Sequence, residues 1–200
     1  MKKTVVFHFL QYFLINLSFT HCLEVTNLPP VLNVPVYSLA TKDNNGKTGM
    51  NILTYATPVS IKPDRIWSLG LFKGTVAHEN FSETRGGVLQ LLTGRHSKVV
   101  KLLGGSSGRD VDKKQKCEKL GMKWVSIDKD IPDLLPECAY YLKVSLVGDL
   151  IDCGSHELAI CKIESMLVPS EADNISQEEH LSSSELRDLG IITKQGRVAD

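Results

Sequence analysis

Two strand-like stretches joined by a tight-turn dipeptide constrain this chain most. "VPVYSLAT" (34–41) alternates and is rich in β-formers, "KDNNGK" (42–47) interrupts it, and "GMNILTYATPVSI" (49–61) resumes the pattern. Asn-Gly tolerates the positive φ values of a hairpin turn, so Asn45-Gly46 reads as the reversal between two antiparallel strands. The returning strand stops at Lys62-Pro63-Asp64. "RIWSLGLF" (65–72) and "GGVLQLLT" (86–93) read as further strands, and "AYYLKVSLVGDLI" (139–151) with "SHELAICKIESMLV" (155–168) as a long hairpin. Helical character is confined to "VAHENFSETR" (76–85), "HSKVVKLLG" (96–104) and "DVDKKQKCEKLG" (110–121), the last two ending at glycine. Strands with interspersed helices but no regular βαβ alternation predict an α+β fold, mainly antiparallel β, built as a barrel with short peripheral helices.

The chain's 200 residues suit one domain with room for extensions at both ends. Its formal net charge of zero gives no concentrated positive patch for nonspecific nucleic-acid binding. Lys113, Lys114 and Lys116 are balanced by Asp110, Asp112 and Glu118, which reads as a solvated helix face. At the N-terminus, residues 1–22 run from Lys2 and Lys3 into an apolar stretch from Val5 to Phe19, too short for a stable membrane span of about 20 residues. That order fits a secretory leader. An N-terminal strand or helix packed on the domain fits as well. The barrel then covers 23–168. Residues 169–200 form a polar tail in which Ser182 to Glu185 spells a capping box for a short helix, and Ile191 and Ile192 could dock that end.

No CxxC pair occurs among Cys22, Cys117, Cys138, Cys153 and Cys161, so neither a structural zinc site nor a thioredoxin-type motif is indicated. Loss of Cys22 with a leader leaves four cysteines for two disulfides; buried free thiols are the commoner arrangement. No Ser-His-Asp order, metal-spaced histidine pair or isolated carboxylate pair supports a hydrolase or a metalloenzyme.

Four stretches carry candidate chemistry. "GGSSGRDVDKK" (104–114) follows a helix and lacks the GK[ST] of a Walker loop, so neither that loop nor a dinucleotide fingerprint applies. It can be a flexible linker. It can equally be an anion loop, with glycines exposing backbone N–H groups, Arg109 donating a fork of hydrogen bonds, and a helix opening near Asp110 with free amides. Asn51 and Thr54 are polar positions in an apolar strand, with 51, 53 and 55 on one face and 52, 54 and 56 on the other unless a bulge intervenes; ordinary barrel polarity reads as well. Lys73, Thr75, His78 and Asn80 cluster where a strand gives way to a helix. They suit a phosphate or the polar edge of a ring, although His78 could be a helix-surface residue. His156 follows Gly154 at a hairpin turn, either as a turn residue or as a group placed for acid–base work or cofactor contact.

Taken in order, "PVYSLAT", "GMNILTYATPVSIKP", "KGTVAHENF", "GVLQLL", "LGGSSGRDVDKKQKCEKLG" and "CGSHELAICKI" resemble the flavin reductase-like family, from about Val34 to Leu167. The resemblance implies an FMN-binding split barrel. It implies that Asn51, Ile52, Leu53 and Thr54 line the isoalloxazine ring and that Lys73, Thr75, His78 and Asn80 lie toward the ribityl chain and phosphate. Gln90 would face the ring from its strand, and Ser107 and Arg109 would complete the anion site. His156 would take the place of the histidine in the family's frequent Gly-Asp-His turn, beside the nicotinamide, as the candidate catalytic residue. FMN is the implied cofactor, NAD(P)H the co-substrate, and a homodimer the implied assembly.

Two positions depart from the pattern. Asn51-Ile52 replaces a frequent Met-Thr pair, removing a hydroxyl, and Gly154-Ser155-His156 lacks the carboxylate of Gly-Asp-His. An NAD(P)H-dependent flavin oxidoreductase is therefore read beside a second class, a flavin carrier or redox partner with little reductase activity of its own. A third class is a secreted non-flavin barrel, which a glycan on the Asn80 sequon would favour.

Overall fold

The computed structural model describes residues 30–167 and 180–199. The stretch read as a leader, Cys22 and the Asn174 sequon lie outside them. The strands are β1 (Tyr37–Lys42), β2 (Thr48–Leu53), β3 (Ala56–Ser60), β4 (Ile66–Phe72), β5 (Gly86–Leu91), β6 (Tyr140–Leu146), β7 (Ile151–Cys153) and β8 (His156–Leu167). Helix α1 is Val76–Thr84, α2 Ser97–Gly105, α3 Lys113–Lys119 and α4 Ser183–Asp188.

All pairings are antiparallel, in the order β2-β1-β5-β6-β8-β4-β3, with β7 beside β8. β2 and β3 are the two ends of that order, yet only Thr54 and Tyr55 separate them in sequence. Laid flat, seven strands would hold these ends about 29 Å apart, at about 4.8 Å per strand. Three Cα steps from Leu53 to Ala56 span at most about 11 Å. The sheet must therefore curl until its ends meet, which makes it an antiparallel barrel. The long returning strand expected over 49–61 is two strands for the same reason: its first half pairs with β1 and its second with β4.

The Asn45-Gly46 hairpin forms as expected. Gly46 takes φ 81°, and the Asp43 carboxylate accepts from the amides of Asn45 and Lys47 at 2.9 and 2.8 Å. Strand alternation then divides the core. Tyr37, Leu39, Leu69, Leu89, Val144 and Ala159, drawn from strands all along the order, form one buried cluster. Only the inside of the curl brings them together, and Phe81 of α1 joins them there. Ala40, Met50, Val88 and Leu92 face the other way, into a second cluster with Val99, Val100 and Leu103 of α2 and Cys117 of α3.

The final segment completes that outer layer. Leu181, Leu186 and Ile192 are buried in it. The backbone of Leu181 bridges the chain between Val36 and Leu92, and α4 carries the expected capping box between Ser182 and Glu185. Cys117, Cys138 and Cys161 are buried free thiols; Cys153, on β7, is exposed.

Candidate functional site

The 104–114 stretch takes in the end of α2 and the start of α3, and the loop between them, 106–112, is ordered and fastened to α1. Arg109 donates through one guanidinium nitrogen to the Gly74 carbonyl at 2.9 Å and through another to the Glu79 carboxylate, while its own amide is accepted by Ser107 Oγ at 3.2 Å. Gly108 lies against Val76: a Cβ there would meet Val76 at 3.4 Å. Thr75 caps α1 by accepting from the His78 amide at 3.1 Å. Lys73, just before the cap, pairs with Asp152 at 2.8 Å, and its ammonium holds that exposed carboxyl below the usual range. Ser107, Arg109, Lys73, Thr75 and His78 thus gather at the start of one helix, although they come from two stretches of chain.

α1 closes onto the edge strand β2. A Cβ on Gly49 would lie 2.9 Å from Asn80 Nδ2 and 3.0 Å from Val76, so glycine is what allows the approach. Next along β2, the Met50 carbonyl accepts from Lys113 Nζ at 3.0 Å, and the same ammonium reaches the Leu103 carbonyl at 2.6 Å. Lys113 is 8% exposed, and this burial lowers its pKa to about 8. Main-chain groups of a strand alternate between its two edges. β2 has β1 on one side only, and Lys113 meets Met50 on the other. Two residues on within β2, the main-chain groups of Ile52 point to that same free edge.

The edge leads into a cavity of about 630 Å³ lined by Thr54, Tyr55, Pro58, Cys153, His156 and Glu157, among others. His156 sits between the ring edges of Tyr55, at 5.2 Å between centroids, and Phe72, at 5.3 Å. Its Nδ1 is hydrogen-bonded to the Ser155 hydroxyl at 2.9 Å, and partial burial lowers its pKa, leaving the imidazole neutral at pH 7. Glu157 ties this cavity to α1 through a 2.7 Å contact with His78 Nε2. His78 Nδ1 and Asn80 Nδ2 are buried with no partner.

The arrangement thus joins a polar helix start to an apolar cavity along the edge of β2 that no other strand covers. The flavin reductase like domain matches residues 32–181, three quarters of the chain. The chain belongs to the flavin reductase-like family. A comparison with curated protein sequences finds no match. Among solved structures, a flavoredoxin from Methanosarcina acetivorans is similar at TM-score 0.64 and 16% identity, over 80% of each chain. An FMN-binding protein from Thermus thermophilus, with bound p-hydroxybenzaldehyde, gives TM-score 0.61 and 14% identity over 74% of this chain and 81% of that one. The Streptomyces globisporus NADH:FAD oxidoreductase gives 0.58 and 14% over 70% and 78%. At these identities the likeness is one of fold, the flavin reductase split barrel, and the family makes the function flavin-related.

Against the flavin reductase-like pattern, Gln90 is a correction. It is fully buried, donating to Ser38 Oγ at 3.4 Å while its carbonyl accepts from the Leu135 amide at 2.7 Å. The pleat turns it with Val88 and Leu92 toward the outer layer, where Leu134 and Leu135 cover it, so it offers a ligand nothing. α3 begins at Lys113, not near Asp110, and Asp112 caps it by accepting from the Gln115 amide. Lys113 is no part of a solvated face. Its role was hidden because a lysine among charged neighbours looks solvent-exposed until its carbonyl partners are in place. Asn80 is only 6% exposed, which leaves no room for a glycan and removes the support for a non-flavin barrel. Tyr55 and Glu157 were missed, the first lying in a strand break that periodicity could not show.

Proposed function

We propose that this chain is a flavoprotein that holds FMN along the free edge of β2 and passes hydride to it from NADH or NADPH. The observation that carries the reading is the single cavity that joins Thr54 at the end of that edge to His156 at the β7–β8 turn. Its volume, apolar walls and few polar groups suit an aromatic ligand. At the free edge of β2 the main-chain N–H and C=O of Ile52 offer a donor and an acceptor, as the pyrimidine edge of a flavin requires. That role needs no particular side chain, so Ile52 in place of a hydroxyl residue does not weaken it.

The residues present fit FMN. His78 Nδ1 is buried without a partner at the start of α1, beside Thr75. Thr75, Ser107, Arg109 and Lys73 supply donors for a phosphate. Arg109 and Lys73 are paired with Glu79 and Asp152, but exposed pairs of this kind contribute little, and a phosphate dianion can displace them. Bound FMN would supply the two-electron carrier. The chain's task is to hold the rings in contact and keep water out. Tyr55 and Phe72 fix the His156 ring edge-on, so the imidazole is oriented beside the space for a nicotinamide.

A homodimer accords with the exposed apolar side chains of Val59 on β3, of Ile61 just after it and of Ile151 on β7. A carrier with little turnover is the second reading, favoured by Ser155. A carboxylate there would favour the charged imidazole, whereas burial of His156 with only a hydroxyl beside it favours the neutral one. Steady-state oxidation of NADH and NADPH by the full chain with added FMN tests the proposal. Turnover above the rate of free FMN is expected. FMN uptake without turnover on either nucleotide would leave the carrier.

A further inference from the structure

Residues 191–199 lie beyond the flavin reductase-like match, which ends at 181. They nonetheless fold back onto the two glycines that end α2. Ile192 and Val198 pair across a turn in which Gly196 takes φ 82°, with the Thr193 amide donating to the Arg197 carbonyl at 2.7 Å and the Ala199 amide to the Ile191 carbonyl at 2.9 Å. A Cβ added to Gly104 would lie 3.1 Å from Val198 Cγ2 and 3.5 Å from Ile52 Cβ. One added to Gly105 would lie 3.0 Å from Val198 Cγ1. The two glycines therefore leave a notch that Val198 fills, in the corner between the loop and the second residue of the flavin strip. This is a reason for "GG" that a phosphate does not supply.

The hairpin is anchored unequally. Ile192 is 7% exposed in the outer core, the tip from Thr193 to Arg197 is exposed, and Val198 is only half-buried. A single half-buried valine is a weak hold beside a core isoleucine. Of the two arms, the one carrying Val198 is the less buried. We propose that this hairpin is a strap across one side of the flavin site, with Val198 as the residue that governs access. Seated on Gly104 and Gly105 it restricts entry and exit along the β2 edge, and lifted it opens them. The proposal rests on the flavin reading above.

The ideal Cβ on Gly105 lies 3.7 Å from Val198 Cβ, within the range of about 3.5–4.5 Å that a disulfide spans. The full chain carrying Gly105→Cys and Val198→Cys, with Cys153→Ser removing the exposed thiol, can thus be locked by oxidation and released by a phosphine reductant. FMN association and dissociation are read by stopped-flow fluorescence. Both are expected to slow by about tenfold or more in the locked chain and to recover on reduction, since entry then depends on a rare open state. Val198→Ser, in the otherwise unaltered chain, should speed both without changing the melting temperature appreciably. Equal rates before and after reduction, with the disulfide confirmed by mass, or unchanged rates in Val198→Ser, would overturn the strap alone. No FMN uptake by the unsubstituted chain would overturn the flavin reading and the strap's role with it.

Discussion

Around the start of α1, Lys73 meets Asp152, Arg109 meets Glu79 and the Gly74 carbonyl, and His78 meets Glu157. Around the β7–β8 turn, His156 meets two ring edges and one hydroxyl. The first region is organised by charge and the second by apolar contact, and Thr54 and Glu157 connect them. The difference separates two tasks. Paired cations at a helix start can exchange a carboxylate for a phosphate and so contribute affinity. A neutral histidine held by rings adds little affinity but can orient a second ring, so it should matter to rate.

Substitutions that separate these tasks sharpen the comparison. The largest effect is expected from Lys113→Met, which leaves the Met50 and Leu103 carbonyls without their donor beneath the polar region. Loss of about 2–4 kcal/mol of unfolding free energy is expected in urea melts. Its pH dependence is also fixed. With a folded pKa of about 8 against 10.5, the unfolded chain holds more protons between those values, so the wild type gains stability as pH rises through that window. The variant lacks this gain, and the difference between the two should widen from pH 8 to pH 10.

Arg109→Ala comes next. It removes a charge-assisted phosphate donor and should weaken FMN binding by about 1.5–3 kcal/mol in a fluorescence titration, with riboflavin affected far less. Equal losses for both flavins would remove the phosphate from that side. His156→Ala should slow nicotinamide-to-flavin hydride transfer by about tenfold, about 1.4 kcal/mol, while FMN affinity stays nearly constant. If the affinity falls with the rate, the two regions do not divide the work as described. The smallest change is Ser155→Asp. It should raise the His156 pKa in an NMR titration, because the new carboxylate favours the imidazolium.

Much of the barrel was legible because alternation and turn chemistry are local. Asn45-Gly46, the α1 stretch and the Ser182–Glu185 box each formed where the residues indicated. The division of 49–61 was not legible, because what breaks that strand at Thr54 and Tyr55 is closure of the whole sheet, a property of all eight strands. The site followed the same rule. Lys73, Thr75 and His78 lie close in sequence and remain together in space. Gln90 looked available and proved buried, because its cover comes from Leu134 and Leu135, more than forty residues away. Lys113 and Val198 escaped for the same reason, since their partners are distant carbonyls and glycines.

The central claim is most directly tested by titrating the full chain with FMN while following the visible absorbance of the flavin. The account predicts saturable uptake near one FMN per chain, with a shifted and structured flavin band that NADH or NADPH bleaches without oxygen. A flavin spectrum that stays that of free FMN at every protein concentration would contradict it.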